Sequence, residues 1–223
     1  MISSNGERPG LHNQAELAYR RLRERLVGGH YHPGDRLAES ALCADLEMSR
    51  TPVREALRRL QSDGLVVSTG RGVVVNSLSD DEIRHAMQLQ GALDTLAARL
   101  AASAQRDGLL TPAQLEGLRE AARQVERSAG AADARGAWRA NLDFHMMLGR
   151  LSGNPLLVDA LDRVWARFAI ISLANISRRT TLLPARHDAI VTAIADGDPE
   201  RAAEAAAAHV HEAERAHRAR SGT

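Results

Sequence analysis

The sequence predicts a mainly α protein: an N-terminal winged helix-turn-helix followed by a C-terminal antiparallel six-helix bundle. Two observations carry this reading. Three helical patterns precede a Gly-Arg-Gly hairpin within residues 1–76, and from about residue 80 six helical segments succeed one another across breaks. The chain has 223 residues, 44% of them hydrophobic, enough for one large or two small domains with apolar cores.

The first stretch, "MISSNGERPGLHNQ", has no apolar run of the secretory kind and is expected to be a flexible arm, residues 1–12. "AELAYRRLRERLVGG" (15–29) sets Leu17, Leu22 and Leu26 near helical spacing and ends in a double glycine, a helix stop. "HYHPGDRLA" reads as a turn, and "SALCADLEMS" as a second short helix with Ser40 as its N-cap. The third helix holds "SRTPVREALRRL" (49–60), with Pro52 in the first turn, where proline is tolerated. "LVVSTGRGVVV" (65–75) is two β-rich runs around a turn, a hairpin signal. Three helices and a hairpin make a winged helix-turn-helix, assigned to residues 13–76.

The polar stretch "NSLSDDE" spans the expected linker, 77–79, and a helical domain fills 80–220. Its predicted segments are about 80–105, 112–128, 133–152, 155–178, 183–196 and 199–219, with short connections that suit antiparallel neighbours. No apolar run is long enough to span a membrane, and the single Cys43 suits a reducing cytoplasm.

The charge is unevenly placed. The chain balances 29 basic residues, all of them arginine, against 28 acidic ones. Such neutrality argues against an indiscriminate polyanion binder but permits a local basic patch. On the third helix Val53, Ala56, Leu57 and Leu60 share one face, and Arg50, Arg54 and Arg58 form a stripe beside it, while Arg59 points elsewhere. An Arg stripe on the second helix of a helix-turn-helix is the geometry that enters a major groove, where the guanidinium fork can bond guanine O6 and N7 together. Ser49 and Thr51 at the helix start can hold phosphates, and the wing tip Gly70, Arg71 and Gly72 can reach a backbone or minor groove. The competing reading is a solvated charged face with partners such as Glu55 and Arg59.

The run "AESALCADLEMSRTPVREALRRLQSDGLVVSTGRGVVV" resembles the DNA-binding domain of GntR-family bacterial transcription regulators. "SRTPVREAL…L…GLV" is similar to the branch with an all-helical FCD effector domain, the FadR-like branch, and the six-helix count looks like its shorter VanR-type subgroup. The resemblance implies DNA contacts from Arg50 and Arg54, with Thr51 at the helix start and the glycine-flanked wing. Ser40 stands where some relatives have Arg.

Three of the nine histidines stand out. Asn141 and His145 lie at i and i+4 on one helix face. His187 and His209 are each 11 residues from Asp198, the centre of the turn between the last two segments, so equal arms of a helical hairpin would bring them to one level. Three neutral imidazoles and one oxygen ligand make a divalent metal site, zinc by default, with room for water or a ligand. The competing reading is three ordinary surface or core histidines. The resemblance favours the metal, because the branch's D-x-x-x-H … H … H pattern falls on positions 141, 145, 187 and 209, with Asn141 where Asp is usual. Relatives often place Arg four residues before an acidic residue on the first bundle helix; that pair reads Gln90 and Asp94 here.

The expected function is therefore a ligand-responsive regulator, without enzymatic activity, that binds an inverted-repeat DNA operator as a homodimer. The resemblance implies a small organic acid as effector, its carboxylate on the open metal positions, with Arg167, Asn175 and Arg178 as further contacts. Two alternatives remain: a metal-dependent hydrolase with an accessory DNA-binding domain, and an architectural DNA-binding dimer that senses nothing. Against the first, there is no HExxH, no nucleophile elbow and no Glu beside the histidines.

Overall fold

The computed structural model describes residues 11–70, 72–131, 133–174 and 187–221. The described residues form a small three-stranded sheet and nine helices, grouped in two compact units. Among the described residues, one unit comprises those up to Ser77 with Ala169–Ala174; the other comprises those of Leu78–Phe168 and of 187–221.

In the first unit α1 (Leu11–Val27), α2 (Glu39–Leu46) and α3 (Arg50–Ser62) surround a core of Ala18, Leu22, Leu26, Leu46, Val53, Ala56 and Leu60, all fully or nearly fully buried. These residues recur at three- and four-residue intervals, the helical period that gathers them on one side. The sheet runs in the order β1–β3–β2, wholly antiparallel, with β1 at Arg36–Leu37, β2 at Val66–Thr69 and β3 at Gly72–Val75. Ser68 pairs with Val73 and Thr69 with Gly72, so the wing turn is tight, and Gly72 occupies φ 128°, a region that disfavours side chains.

Two local expectations are corrected. Residues 36–37, read as part of a turn, add the strand β1, too short to show a period-two pattern. Ser40 is not the cap of α2: Ala38 holds that position, because the chain leaves β1 at Leu37 and enters the helix immediately, with Glu39 in its first turn.

The second unit contains α4 (Asp80–Arg106), α5 (Pro112–Gly130), α6 (Ala134–Leu151), α7 (Pro155–Ala174) as far as Phe168, α8 (Asp188–Ala195) and α9 (Pro199–Ser221). Capping boxes start α4, at Ser79 and Glu82, and α5, at Thr111 and Gln114, each satisfying two otherwise orphaned donors. Buried alanines 97, 98, 101 and 102 of α4 and 202, 203 and 206 of α9 let these two helices pack closely. Gly91 tightens the contact further, since a Cβ there would stand 2.9 Å from Cγ1 of Val210.

Candidate nucleic-acid interface and metal centre

On α3 the apolar face is buried, and the side chains of Arg50, Arg54 and Arg58 are 73%, 59% and 78% exposed. Ser49, the N-cap residue of α3, and Thr51 are exposed at the same end, and the Ser49 hydroxyl accepts no capping bond. The helix start therefore offers a hydroxyl and backbone N–H groups to an anion. Gly70 and Gly72 are exposed at the wing; Arg71 lies outside the described residues.

Glu39 of α2 organises the stripe. Nε of Arg54 donates to Glu39 Oε2 at 2.7 Å, and Arg50 Nε lies 4.0 Å from Oε1. Arg59 has a separate task. It donates to Glu16 of α1 at 2.5 Å and sits over the Tyr19 ring at 4.1 Å, while the Tyr19 hydroxyl donates to Asp63. These contacts lock α1 against α3. Glu55 faces Arg58 at 3.7 Å, and not the Arg59 that the competing reading of a solvated charged face gave it as partner.

In the second unit three imidazoles converge. His145 comes from the middle of α6, His187 stands at the N-cap position of α8, and His209 lies on α9. Ring centroids are 4.6 Å apart for His187 and His209, and 5.4 Å for His145 with either. One nitrogen from each ring falls within 4.8 Å of the others, a spacing that can hold a metal ion. Phe144 packs on His187 at 4.1 Å and Trp165 on His145 at 4.8 Å, walling the site with aromatic rings.

The chemistry of the donor set fits a divalent cation. His145 and His187 are 1% and 0% exposed, yet neither ring completes a hydrogen bond from either nitrogen. Burying a polar atom without a partner costs about 1–3 kcal/mol, so two adjacent rings with unbonded nitrogens call for a ligand. Burial pushes His187 far below the usual imidazole range, and the neighbouring His145 and His209 push it in the same direction. His209 is held down to about 4, by burial first and then by His145, with Asp94 acting in the opposite direction. Both rings are thus neutral at pH 7, the form that binds metals.

The buried carboxylate of the centre comes from α4. Asp94 is 1% exposed, and its Oδ2 lies 3.0 Å from His145 Nδ1 and accepts a 3.0 Å bond from Gln90 Nε2. Asn141 lies one turn before His145 and is half-buried. Of the other effector-site expectations, Arg167 is half-buried and acts electrostatically on Glu82 at the start of α4; Asn175 and Arg178 lie outside the described residues. Sequence reading noted the Gln90–Asp94 pair but did not place it at the histidines. The signal was present: Asp94 shares the helical period of Ala97, Ala98 and Ala101, a charged residue on a wholly buried stripe.

Residues 14–75 match the gntR family of bacterial regulatory proteins, and residues 85–212 match the FCD domain. The chain belongs to the GntR family of bacterial transcription regulators, in the group with an FCD domain; these are regulators, not enzymes. It is 31% identical over 192 residues to the probable D-xylose utilization operon transcriptional repressor of Paenarthrobacter nicotinovorans, spanning 83% of this chain and 80% of the relative. It is 28% identical over 185 residues to the Nta operon transcriptional regulator of Aminobacter aminovorans, covering 82% of this chain and 85% of the other. Its fold is similar to solved structures of E. coli McbR/YncC (TM-score 0.73, 22% identity, 99% of both chains) and a putative GntR regulator from Rhodococcus sp. RHA1 (TM-score 0.74, 24% identity, 92% and 97%).

Proposed function

We propose that the chain is a cytoplasmic, homodimeric regulator that holds one divalent ion, zinc by default, among Asn141, His145, His187 and His209, and changes its operator affinity when a carboxylate-bearing metabolite enters that centre. The observation that carries the reading is the pair of buried imidazoles whose nitrogens complete no hydrogen bond, each offering one of them within 4.8 Å of the third histidine. A divalent ion there would supply positive charge and open positions for an anionic group. The six helices α4–α9 among the described residues support the VanR-type assignment. On the DNA side we assign base contacts to Arg50, Arg54 and Arg58, phosphate contacts to Ser49 and Thr51, and wing contacts to residues 70–72. Residues 13–76 and 80–220 are the corresponding domains.

Coupling follows from chain continuity. Helix α4 starts directly after the linker at the Ser79 cap and carries Asp94 to the histidine centre. A ligand drawn to the histidines shifts operator affinity only by its differential affinity for two arrangements, about 1–3 kcal/mol in typical allosteric systems. The test is a metal assay and mass spectrometry on protein purified without chelator, followed by operator titration with and without the recovered small molecule. One ion per subunit and a ligand that alters operator binding without being turned over are expected. Metal-free protein that ignores added zinc would overturn the proposal, and turnover would favour the hydrolase alternative.

A further inference from the structure

Asp94 is a carboxylate in the interior of a helical bundle. Its ion-pair neighbour is an imidazole, and its polar contacts are a chain of three residues on two helices: Gln90 and Asp94 on α4, then His145 on α6. Gln90 Nε2 donates to Oδ2, the same oxygen that stands 3.0 Å from His145 Nδ1, and Oδ1 has no hydrogen-bond partner. The Nδ1 approach has hydrogen-bond length without completing a hydrogen bond, so the bond is poised and not closed. Such an arrangement is expensive unless something uses it.

Resting on the metal reading above, we infer that Asp94 is a positioning residue for the centre. It accepts the Nδ1 proton of His145, fixes that tautomer, and so presents the unprotonated Nε2 to the ion. The two nitrogens of an imidazole are not equivalent. When one is held as a donor by a carboxylate, the other is left basic and correctly aimed, and ligand basicity rises. A small rotation of the His145 ring, as Nε2 turns toward the ion, would close the Nδ1–Oδ2 bond. Gln90 holds the carboxylate from behind. This also gives Gln90 a role: where an arginine would neutralise Asp94, the neutral amide leaves its negative charge to act on His145 and His209. Asp94 itself is not a ligand, since the atoms that come within 4.8 Å of one another belong to the three histidines.

The experiment compares full-length wild type with Asp94→Asn, which keeps the shape but offers an amide that can donate to Nδ1 and trap the wrong tautomer. Competitive zinc titration against a chelating indicator should show affinity lower by about 10- to 100-fold in the variant. Cobalt substitution should give the same visible band shape in both proteins, because the three imidazoles are untouched. Side-chain nitrogen NMR should report His145 of wild type protonated at Nδ1, and Asp94→Asn should lose that state. Gln90→Leu should weaken zinc in the same direction by less. Unchanged zinc affinity in a folded variant would overturn the inference. So would a changed cobalt coordination spectrum, which would make Asp94 a ligand. If wild type takes up neither metal, the metal reading and with it the positioning of a ligand fall. The NMR tautomer of wild type then still decides the contact beneath it: Nδ1–H upholds the holding of the His145 ring by Asp94, and Nε2–H ends it.

Discussion

Arg54 on α3 is 59% exposed and already paired with Glu39, whereas His145 in the helical unit is 1% exposed and completes no hydrogen bond from either ring nitrogen. The two regions satisfy polar groups by opposite means. The winged unit does so with water and neighbouring charges, so its binding face is complete before a partner arrives. The histidine centre buries His145 and His187 and supplies too few protein partners, so its polar atoms are satisfied by something bound. One surface is built to be used as it stands, and the other is built to be filled. A regulator needs that asymmetry, because the signal must change the site and the DNA face must keep its shape.

The largest expected effect breaks the filled side. Elemental analysis of wild type should find roughly one ion per subunit, and His145→Ala or His209→Ala should remove it. Added zinc at 100 times its dissociation constant should stabilise wild type by about 2.7 kcal/mol and leave both variants unmoved. Equal melting shifts in all three proteins would return the histidines to an ordinary core role.

On the exposed side, Arg54→Ala should cost about 1–3 kcal/mol of operator affinity with a smaller loss on random DNA, measured by titration at fixed salt. Glu39→Gln should act differently. Losing a negative charge at the DNA face strengthens attraction to phosphate, while releasing the Arg54 fork blurs its aim, so the ratio of operator to random affinity should fall. A variant with wild-type affinity for both DNAs would remove Arg54 from the interface.

Acid sharpens the contrast. The folded state holds His209 at about 4 against an ordinary 6.5. Between these values the unfolded chain takes a proton that the folded chain refuses, so stability is fully present above 6.5 and is lost as pH falls. For metal-free protein this group alone should contribute a loss on the order of 2 kcal/mol between pH 7.5 and 5, and His187, depressed further, adds in the same direction. Urea unfolding at the two pH values reads the loss. His209→Gln should flatten the dependence; a slope identical to wild type would show that the ring is not held neutral.

Most helix limits and the buried face of α3 were legible in the sequence, because glycine, proline and capping residues mark chain breaks locally and apolar spacing marks buried faces. The approach of positions 187 and 209 was legible too, through equal arms about Asp198, and position 145 joined them through the resemblance's histidine pattern. Asp94 was not assigned to the centre, because its approach to His145 depends on how α4 packs against α6, a contact 51 residues apart along the chain. The close passage of α9 at Gly91 is of the same kind, visible only once two helices are set side by side. Local rules read local structure; the carboxylate that completes a site from another helix is a tertiary fact.

The smallest effect tests whether the winged unit is as self-sufficient as this contrast holds. Glu47 ends α2 in the left-handed region, at φ 55° and ψ 41°, the one non-glycine residue with positive φ among those described. The turn from α2 to α3 requires it: the Glu47 N–H reaches back to Ala44, and the Met48 N–H to Cys43, satisfying the carbonyls at the helix end. A side chain in this conformation costs roughly 1–2 kcal/mol, and glycine removes that cost at the expense of a more flexible unfolded chain. Glu47→Gly should therefore stabilise by about 0.5–1 kcal/mol in urea unfolding. Because the turn is exposed and makes its bonds through the backbone, the gain should leave operator preference and zinc affinity unchanged. If the variant instead loses stability, the left-handed cap is supported by contacts of the glutamate itself. If it changes zinc affinity, the two regions are coupled in the absence of any ligand, and the division between a finished surface and an unfinished centre fails.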